Sequence, residues 1–199
     1  MPASAPLLVP IVEGHGELKA VPLLVRRWLY ETGRYVDVRA PVRASGRGAL
    51  TCEKGIERFV SVARGVPRCA AILVVIDADE GCPAEEGPAL QSRAETAAGG
   101  IPVVVVLAKH EFEAWLIASA ETIRGCRDLP ADLYCPADPD EKIGDPKAWI
   151  SSKLPKGRVY QETVDQAPLT ARMDFALVSQ RSRSFRKLLS ALDKLIPGS

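Results

Sequence analysis

The stretch Leu7 to Glu17, Leu-Leu-Val-Pro-Ile-Val-Glu-Gly-His-Gly-Glu, decides the fold: an apolar run stops abruptly in two carboxylates separated by glycines. Leu7 to Val12 has the length and content of a strand buried on both faces, with Pro10 the one residue that does not suit it. Gly14 and Gly16 permit a tight strand-to-helix turn. From Glu17 onward Val21, Leu24, Val25, Trp28 and Leu29 recur at helical spacing. Glu17 therefore falls in the first helical turn and Glu13 at the strand's carboxyl end, which puts both acids at one rim of a sheet.

A second stretch answers the first. Ala70 to Ile76, Ala-Ala-Ile-Leu-Val-Val-Ile, is again a buried-strand signal, and it ends in Asp77-Ala78-Asp79-Glu80-Gly81. Residues two apart in an extended segment point the same way, so Asp77 and Asp79 project together if the strand geometry lasts that far. Open parallel sheets bind ligands at the carboxyl ends of their strands, where the strand order switches. If the first and third strands are neighbours, Glu13, Glu17, Asp77 and Asp79 meet there.

Composition sets the bounds. The 199 residues, 47% hydrophobic and 26% charged, fit one globular domain with a sizeable core. The apolar runs are strand-sized, and Met1 to Pro6 lacks the basic region and cleavage site of a signal peptide. The expectation is a cytoplasmic protein with no membrane partner. Five cysteines include no C-x-x-C pair, so free thiols are expected rather than a zinc site or disulfides. The formal net charge of +1 hides an asymmetry. Residues 1–141 carry 15 Lys and Arg against 20 Asp and Glu, whereas residues 142–199 carry 11 against 5. An acidic half bearing carboxylate clusters and a basic tail suit a metal site beside a polyanion-binding surface; solvated helix faces are the plainer alternative.

The remaining elements follow in order. The first helix should end near Gly33, and Tyr35 to Val42 reads as a second strand whose Pro41 marks the sheet margin. Ala44 to Ala49 reads as a small-residue surface loop, with Arg43 and Arg47 able to contact phosphate. It lacks the Gly-Lys-Ser/Thr ending of a phosphate loop. Glu53 to Val66 shows a helical apolar stripe, Gly81 to Pro88 reads as a loop, and a helix follows from about Ala89 to Ala98. Ile101 to Ala108 is the fourth strand, and it too runs into acids, Lys109-His110-Glu111-Phe112-Glu113-Ala114-Trp115-Leu116. Phe112, Trp115 and Leu116 form the core stripe of a helix opening, which leaves Glu113 free to face the rim. Three strand exits in four thus carry carboxylates.

Residues 1–124 make the α/β core on this reading, and residues 125–199 an irregular insertion followed by a basic helical C-terminal extension packed on it. In Asp145-Pro146-Lys147, Asp145 reads as an N-cap with Pro146 at the first helical position. Helices are expected around Leu169 to Val178 and from Ser182 to Ile196, the last exposing Arg183, Arg186, Lys187 and Lys194.

Clustered Asp and Glu without His or Cys support favour a hard cation with oxygen ligands, Mg²⁺ or Mn²⁺. Packed carboxylates raise one another's pKa, and a bound ion relieves the repulsion. One or two such ions polarise a phosphodiester and stabilise the attacking and leaving oxygens. His15 could act as acid, base or phosphate donor, although a lone histidine in a turn is more often incidental. Lys109, next to the rim, could neutralise charge developing on phosphorus, or simply pair with Glu111 or Glu113.

Val12-Glu13-Gly14 after one buried strand and Asp77-Ala78-Asp79 after another resemble the Toprim domain of topoisomerases, bacterial primases and the OLD-family nucleases. The resemblance implies a three-layer, Rossmann-like parallel sheet of order 2-1-3-4 and an Mg²⁺-dependent chemistry. It assigns Glu13 as the invariant glutamate with catalytic and metal-binding roles, Asp77 and Asp79 as metal ligands, and Glu17 as the second acid of the OLD-like E-G-x-x-E form. Over its whole length the chain is similar to an uncharacterised bacterial family of small stand-alone Toprim-like proteins. That similarity rests on Glu13 to Glu17, Asp77 to Asp79, Glu111 to Trp115, Asp145-Pro146-Lys147 and Tyr160-Gln161-Glu162.

The resulting expectation is a divalent-metal-dependent nuclease cleaving DNA or RNA. Glu13, Glu17, Asp77 and Asp79 are its metal ligands, Glu113 is a further ligand or base, and Lys109 is a stabiliser. Arg43, Arg47, Arg183 and Lys187 contact nucleic acid. The alternative is a non-catalytic Toprim-like module that binds a neighbouring ATPase in a defence or DNA-processing system. A receiver-like phosphoacceptor also uses clustered aspartates, but the glycine-flanked Glu13/Glu17 turn fits it poorly.

Overall fold

Strand β1 (Leu7–Val12) is buried at all six positions, as a run without a polar residue requires. The computed structural model describes residues 6–197; the amino-terminal reading of Met1 to Ala5 lies outside them. Helix α1 (Glu17–Glu31) turns Ala20, Val21, Leu24, Val25, Trp28 and Leu29 inward. Each large apolar side chain so buried contributes about 2 kcal/mol. The helix ends where expected, at Gly33 with φ +66, a conformation glycine adopts without strain.

The second strand departs from expectation, because it is two short pieces, β2 (Asp37–Val38) and β3 (Val42–Arg43). Pro10 supplies the reason. The Leu8 carbonyl accepts from the Arg39 N–H and the Val12 carbonyl from the Ala44 N–H. Pro10 lies between those two anchor points with no N–H to give, and the ladder on that side lapses over residues 39–41.

Helix α2 (Arg47–Thr51) replaces part of the expected surface loop, because Leu50 plugs fully into the core. Helix α3 (Gly55–Arg64) leads into β4 (Cys69–Asp77). Helix α4 (Pro83–Ala98) starts six residues before the predicted Ala89. Pro83 suits a first helical turn, and Pro88 is tolerated on the exposed side of the second. Then come β5 (Val103–Ala108), α5 (Glu113–Ala118) and α6 (Ala120–Ile123).

Beyond them lie α7 (Pro139–Lys142) and α8 (Pro146–Lys153), the latter capped as predicted by Asp145, whose Oδ1 accepts the Ala148 N–H at 2.8 Å. A π-helical turn (Glu162–Gln166) continues into α9 (Ala167–Thr170). The helix expected over Leu169 to Val178 is thus broken, and α10 (Phe175–Arg181) starts afresh behind its own cap, Asp174. Helix α11 (Arg183–Leu195) closes the chain.

The sheet is parallel with order β2-β1-β4-β5, β3 pairing with β1; counting the interrupted strand once, this is the expected 2-1-3-4. Alternation sorts the strands onto two faces. Val9, Ile11, Ile72, Val74, Ile76, Val103, Val105 and Leu107 pack in one cluster with residues of α2, α3 and α4. Leu8, Val12, Ala71, Leu73, Val75, Val106 and Ala108 pack in the other with α1, α5 and the helices up to α11. The result is a three-layer α/β fold, and residues 125–197 supply much of one outer layer, sharing its core with α1. Among the described residues no helix is long and apolar enough to cross a membrane.

Candidate metal centre

Register brings the strand ends level. Val12 pairs with Val75, and Asp77 with Ala108, so the exits of β1, β4 and β5 open at one rim. At the first exit the Glu13 carboxylate reaches across β4, and its Oε2 accepts the Asp77 N–H at 3.2 Å. Glu17, in the first turn of α1 and only 4% exposed, folds back so that its Oε2 accepts the Gly14 N–H at 2.8 Å. A Cβ on Gly14 would stand 2.8 Å from that same oxygen, so a larger residue there would displace the Glu17 carboxylate.

Asp77 is 6% exposed, and its Oδ1 accepts the Phe112 N–H at 2.8 Å. Burial pushes its carboxyl well above the usual range, and the charges of Glu113, Glu17 and Glu13 add to the push. Glu13 is raised too, by burial first, although the backbone N–H groups of Asp77 and Arg47 oppose it. Three strand exits therefore bring Glu13, Glu17, Asp77 and Glu113 into mutual repulsion.

Asp79 stands at the edge of this group, its charge adding to the rise at Glu13 while its side chain parts from that of Asp77. Strand geometry ends at Asp77; Asp79 takes φ +48, and its N–H donates to the His110 carbonyl at 2.8 Å. Its side chain, 58% exposed, turns to Arg47, whose Nε lies 3.5 Å from Oδ2. The expected joint projection of Asp77 and Asp79 is thus corrected, because the chain turns between them. Arg47 also pairs with Glu86 and donates to the Asp77 carbonyl at 3.4 Å, so carboxylates of this chain already occupy it.

A family model described as Domain of unknown function (DUF4276) matches residues 12–193. The chain belongs to this family. No curated protein and no solved structure matches it. The DUF4276 match runs unbroken past residue 124, as the hydrophobic core does, and it includes every residue of the acidic rim.

On the far side of the rim, this DUF4276 chain holds Glu113 fully buried. Oε1 accepts the Tyr160 hydroxyl at 2.8 Å and the Gln166 amide at 3.1 Å, whereas Oε2 has no hydrogen-bond donor. Burial pushes its carboxyl up to about 7, against the opposing pull of Lys147 and Tyr160. Lys147 Nζ sits 2.8 Å from Glu111 Oε1 and 3.8 Å from Glu113 Oε2. Burial works against its charge, but Glu113 and Glu111 prevail and hold the ammonium above its ordinary range. Burial and Glu113 likewise hold the Tyr160 hydroxyl far above its ordinary value.

Lys147, not Lys109, is therefore the lysine at the acids, and Lys109 makes no ion pair among the described residues. Lys109 instead anchors the strand exit through its backbone N–H, which donates to Ser184 Oγ at 3.1 Å. Lys147, Tyr160 and Gln166 have no role in the sequence reading. Asp145-Pro146-Lys147 and Tyr160-Gln161-Glu162 stand out as segments, yet nothing local says that they fold back over Glu113. His15 and Arg43 are exposed near the rim, as are Arg183 and Lys187, one turn apart at the start of α11.

The donors are carboxylate oxygens, the set that Mg²⁺ and Mn²⁺ prefer. Among the described residues, no three His, Cys, Asp or Glu side chains already form a coordination cage. The fit lies instead in the crowding of Glu13, Glu17 and Asp77, where burial and like charge outweigh the pull of Lys147 on Asp77, and in the donorless Oε2 of Glu113. An ion would draw Glu13, Glu17 and Asp77 together, relieving their repulsion.

Proposed function

We propose that this chain is a Toprim-like, divalent-metal-dependent nuclease of the cytoplasm. Glu13, Glu17 and Asp77 would hold Mg²⁺ or Mn²⁺, with Glu113 beside them and Asp79 at the outer edge. The observation that carries this reading is the gathering of four carboxylates from three strand exits in one place, Glu17, Asp77 and Glu113 buried and Glu13 half-buried, an arrangement that costs stability unless a cation is taken up. When bound, the ion supplies polarisation of the phosphoryl oxygen and activation of water.

The chain's own residues supply the rest. Glu113, with its carboxyl near neutrality, can take or give a proton at Oε2, the oxygen that Tyr160 and Gln166 leave open. Tyr160 and Gln166 fix the orientation of that carboxylate. Arg43 on one flank and Arg183 and Lys187 on the other are exposed cations suited to phosphates of a nucleic acid. Lys109 would assist from the β5 exit.

Purified protein with Mg²⁺ or Mn²⁺ is expected to cut plasmid, single-stranded DNA or RNA. Glu13→Gln and Asp77→Asn should each lower the rate by on the order of 100-fold or more. Intact substrates under all these conditions would overturn the nuclease reading.

One observation favours a second reading. Lys147 and Arg47 already lie against the acids, as in a rim that needs no ion. The chain would then be a non-catalytic module binding an ATPase partner, and divalent ions would leave its melting temperature unchanged.

A further inference from the structure

We propose that Lys147 stands in for a second cation, so that the site takes one divalent ion per chain. This inference rests on the metal-binding reading above and concerns how that site is filled.

The ammonium is wedged among three carboxylates, two at the start of α5 and one from the π-helical turn. Nζ lies 2.8 Å from Glu111 Oε1, 3.8 Å from Glu113 Oε2 and 4.0 Å from Glu162 Oε2. The Lys147 N–H also donates to Glu111 Oε2 at 3.3 Å, so this one residue engages both oxygens of Glu111. At Glu113, Tyr160 and Gln166 fill Oε1, and the fully buried Oε2 has no donor and faces the ammonium. A second divalent ion could use Glu111, Glu113 or Glu162 only by evicting Lys147.

Eviction is resisted because the lysine is mounted on a fixed element. Helix α8 is capped by Asp145, buries Pro146 and Ile150, and packs on α5, which carries Glu113. The carboxylates left over are Glu13, Glu17 and Asp77, with Asp79 at the outer edge paired to Arg47. Glu17 and Asp77 each give one oxygen to a backbone N–H and keep the other. Three carboxylates with water suit one hard octahedral ion and leave no set for another. The lysine's charge also acts on Asp77, as that of a second cation would.

The test counts bound Mn²⁺ by electron paramagnetic resonance, titrating wild type, Lys147→Arg and Lys147→Met. One ion in wild type and in Lys147→Arg, and two in Lys147→Met, is the expected result. Two ions in wild type, or a single ion in folded Lys147→Met, overturns the proposal and leaves the metal-binding reading intact. No bound ion in any of the three removes that reading and this one together. If Lys147→Met does not fold, the wild-type spectrum decides: an isolated Mn²⁺ signal supports one ion, and an exchange-coupled pair refutes it.

Discussion

Glu113→Ala is expected to destabilise the protein by about 3 to 5 kcal/mol, the loss seen when one partner of a buried charged network is removed. The substitution strands the Tyr160 hydroxyl, the Gln166 amide and the Lys147 ammonium, all of which converge on this carboxylate. For a chain of this size the melting temperature should fall by on the order of 10 °C. Glu113→Gln keeps a carbonyl for Tyr160 and Gln166 but sets an amide N–H₂ against Lys147, so a smaller loss of roughly 1 to 3 kcal/mol is expected. Thermal or urea unfolding of the two variants checks both figures. An alanine variant as stable as wild type would show that the buried network carries no weight.

The second large effect is on pH. With a chelator present, stability should fall as pH rises from about 5 to about 8. Burial raises the Glu113 carboxyl from 4.5 to about 7 in the folded chain. An acid raised on folding contributes stability that is fully present below its unfolded value and is lost as pH climbs through the folded one. The loss is on the order of 3 kcal/mol for Glu113. Asp77, Glu13 and Asp140 are raised as well, so they act with the same sign. Arg93 lowers Glu57, and at Glu121 and Asp165 burial pushes upward but hydrogen bonds from arginine side chains and backbone N–H groups prevail, so the contribution of these three is lost only as pH falls toward the acid side.

The slope should flatten in millimolar Mg²⁺, because the ion takes the place of the protons, and metal affinity should rise with pH for the same reason. At pH 8 without metal, Asp77→Asn should melt higher than wild type. It removes a buried charge facing Glu113, Glu17 and Glu13, yet keeps an acceptor for the Phe112 N–H. Stability that increases with pH across this window would contradict the electrostatic account.

What could be seen beforehand follows from what is local. The apolar runs Leu7 to Val12 and Ala70 to Ile76 announce buried parallel strands, and the acids at their ends announce the rim. Strand order follows from where those acids must meet. The break in the second strand was hidden, since it depends on Pro10 meeting that strand across the sheet. The parting of Asp77 and Asp79 was hidden too, because one left-handed residue undoes the alternation on which the expectation rested. Lys147, Tyr160 and Gln166 lie 36, 47 and 53 residues from the glutamates that accept their hydrogen bonds, in a segment with no regular pattern. No periodicity carries a signal over that separation, so only the folded chain brings them to the site.

Crystals of the wild-type protein equilibrated with Mn²⁺ at pH 8 and measured for anomalous scattering decide whether the acidic rim binds a cation. A peak bounded by the carboxylates of Glu13, Glu17 and Asp77, with Lys147 still on Glu111, is the expected result. Anomalous density confined to other surfaces, or none at millimolar Mn²⁺, would contradict it.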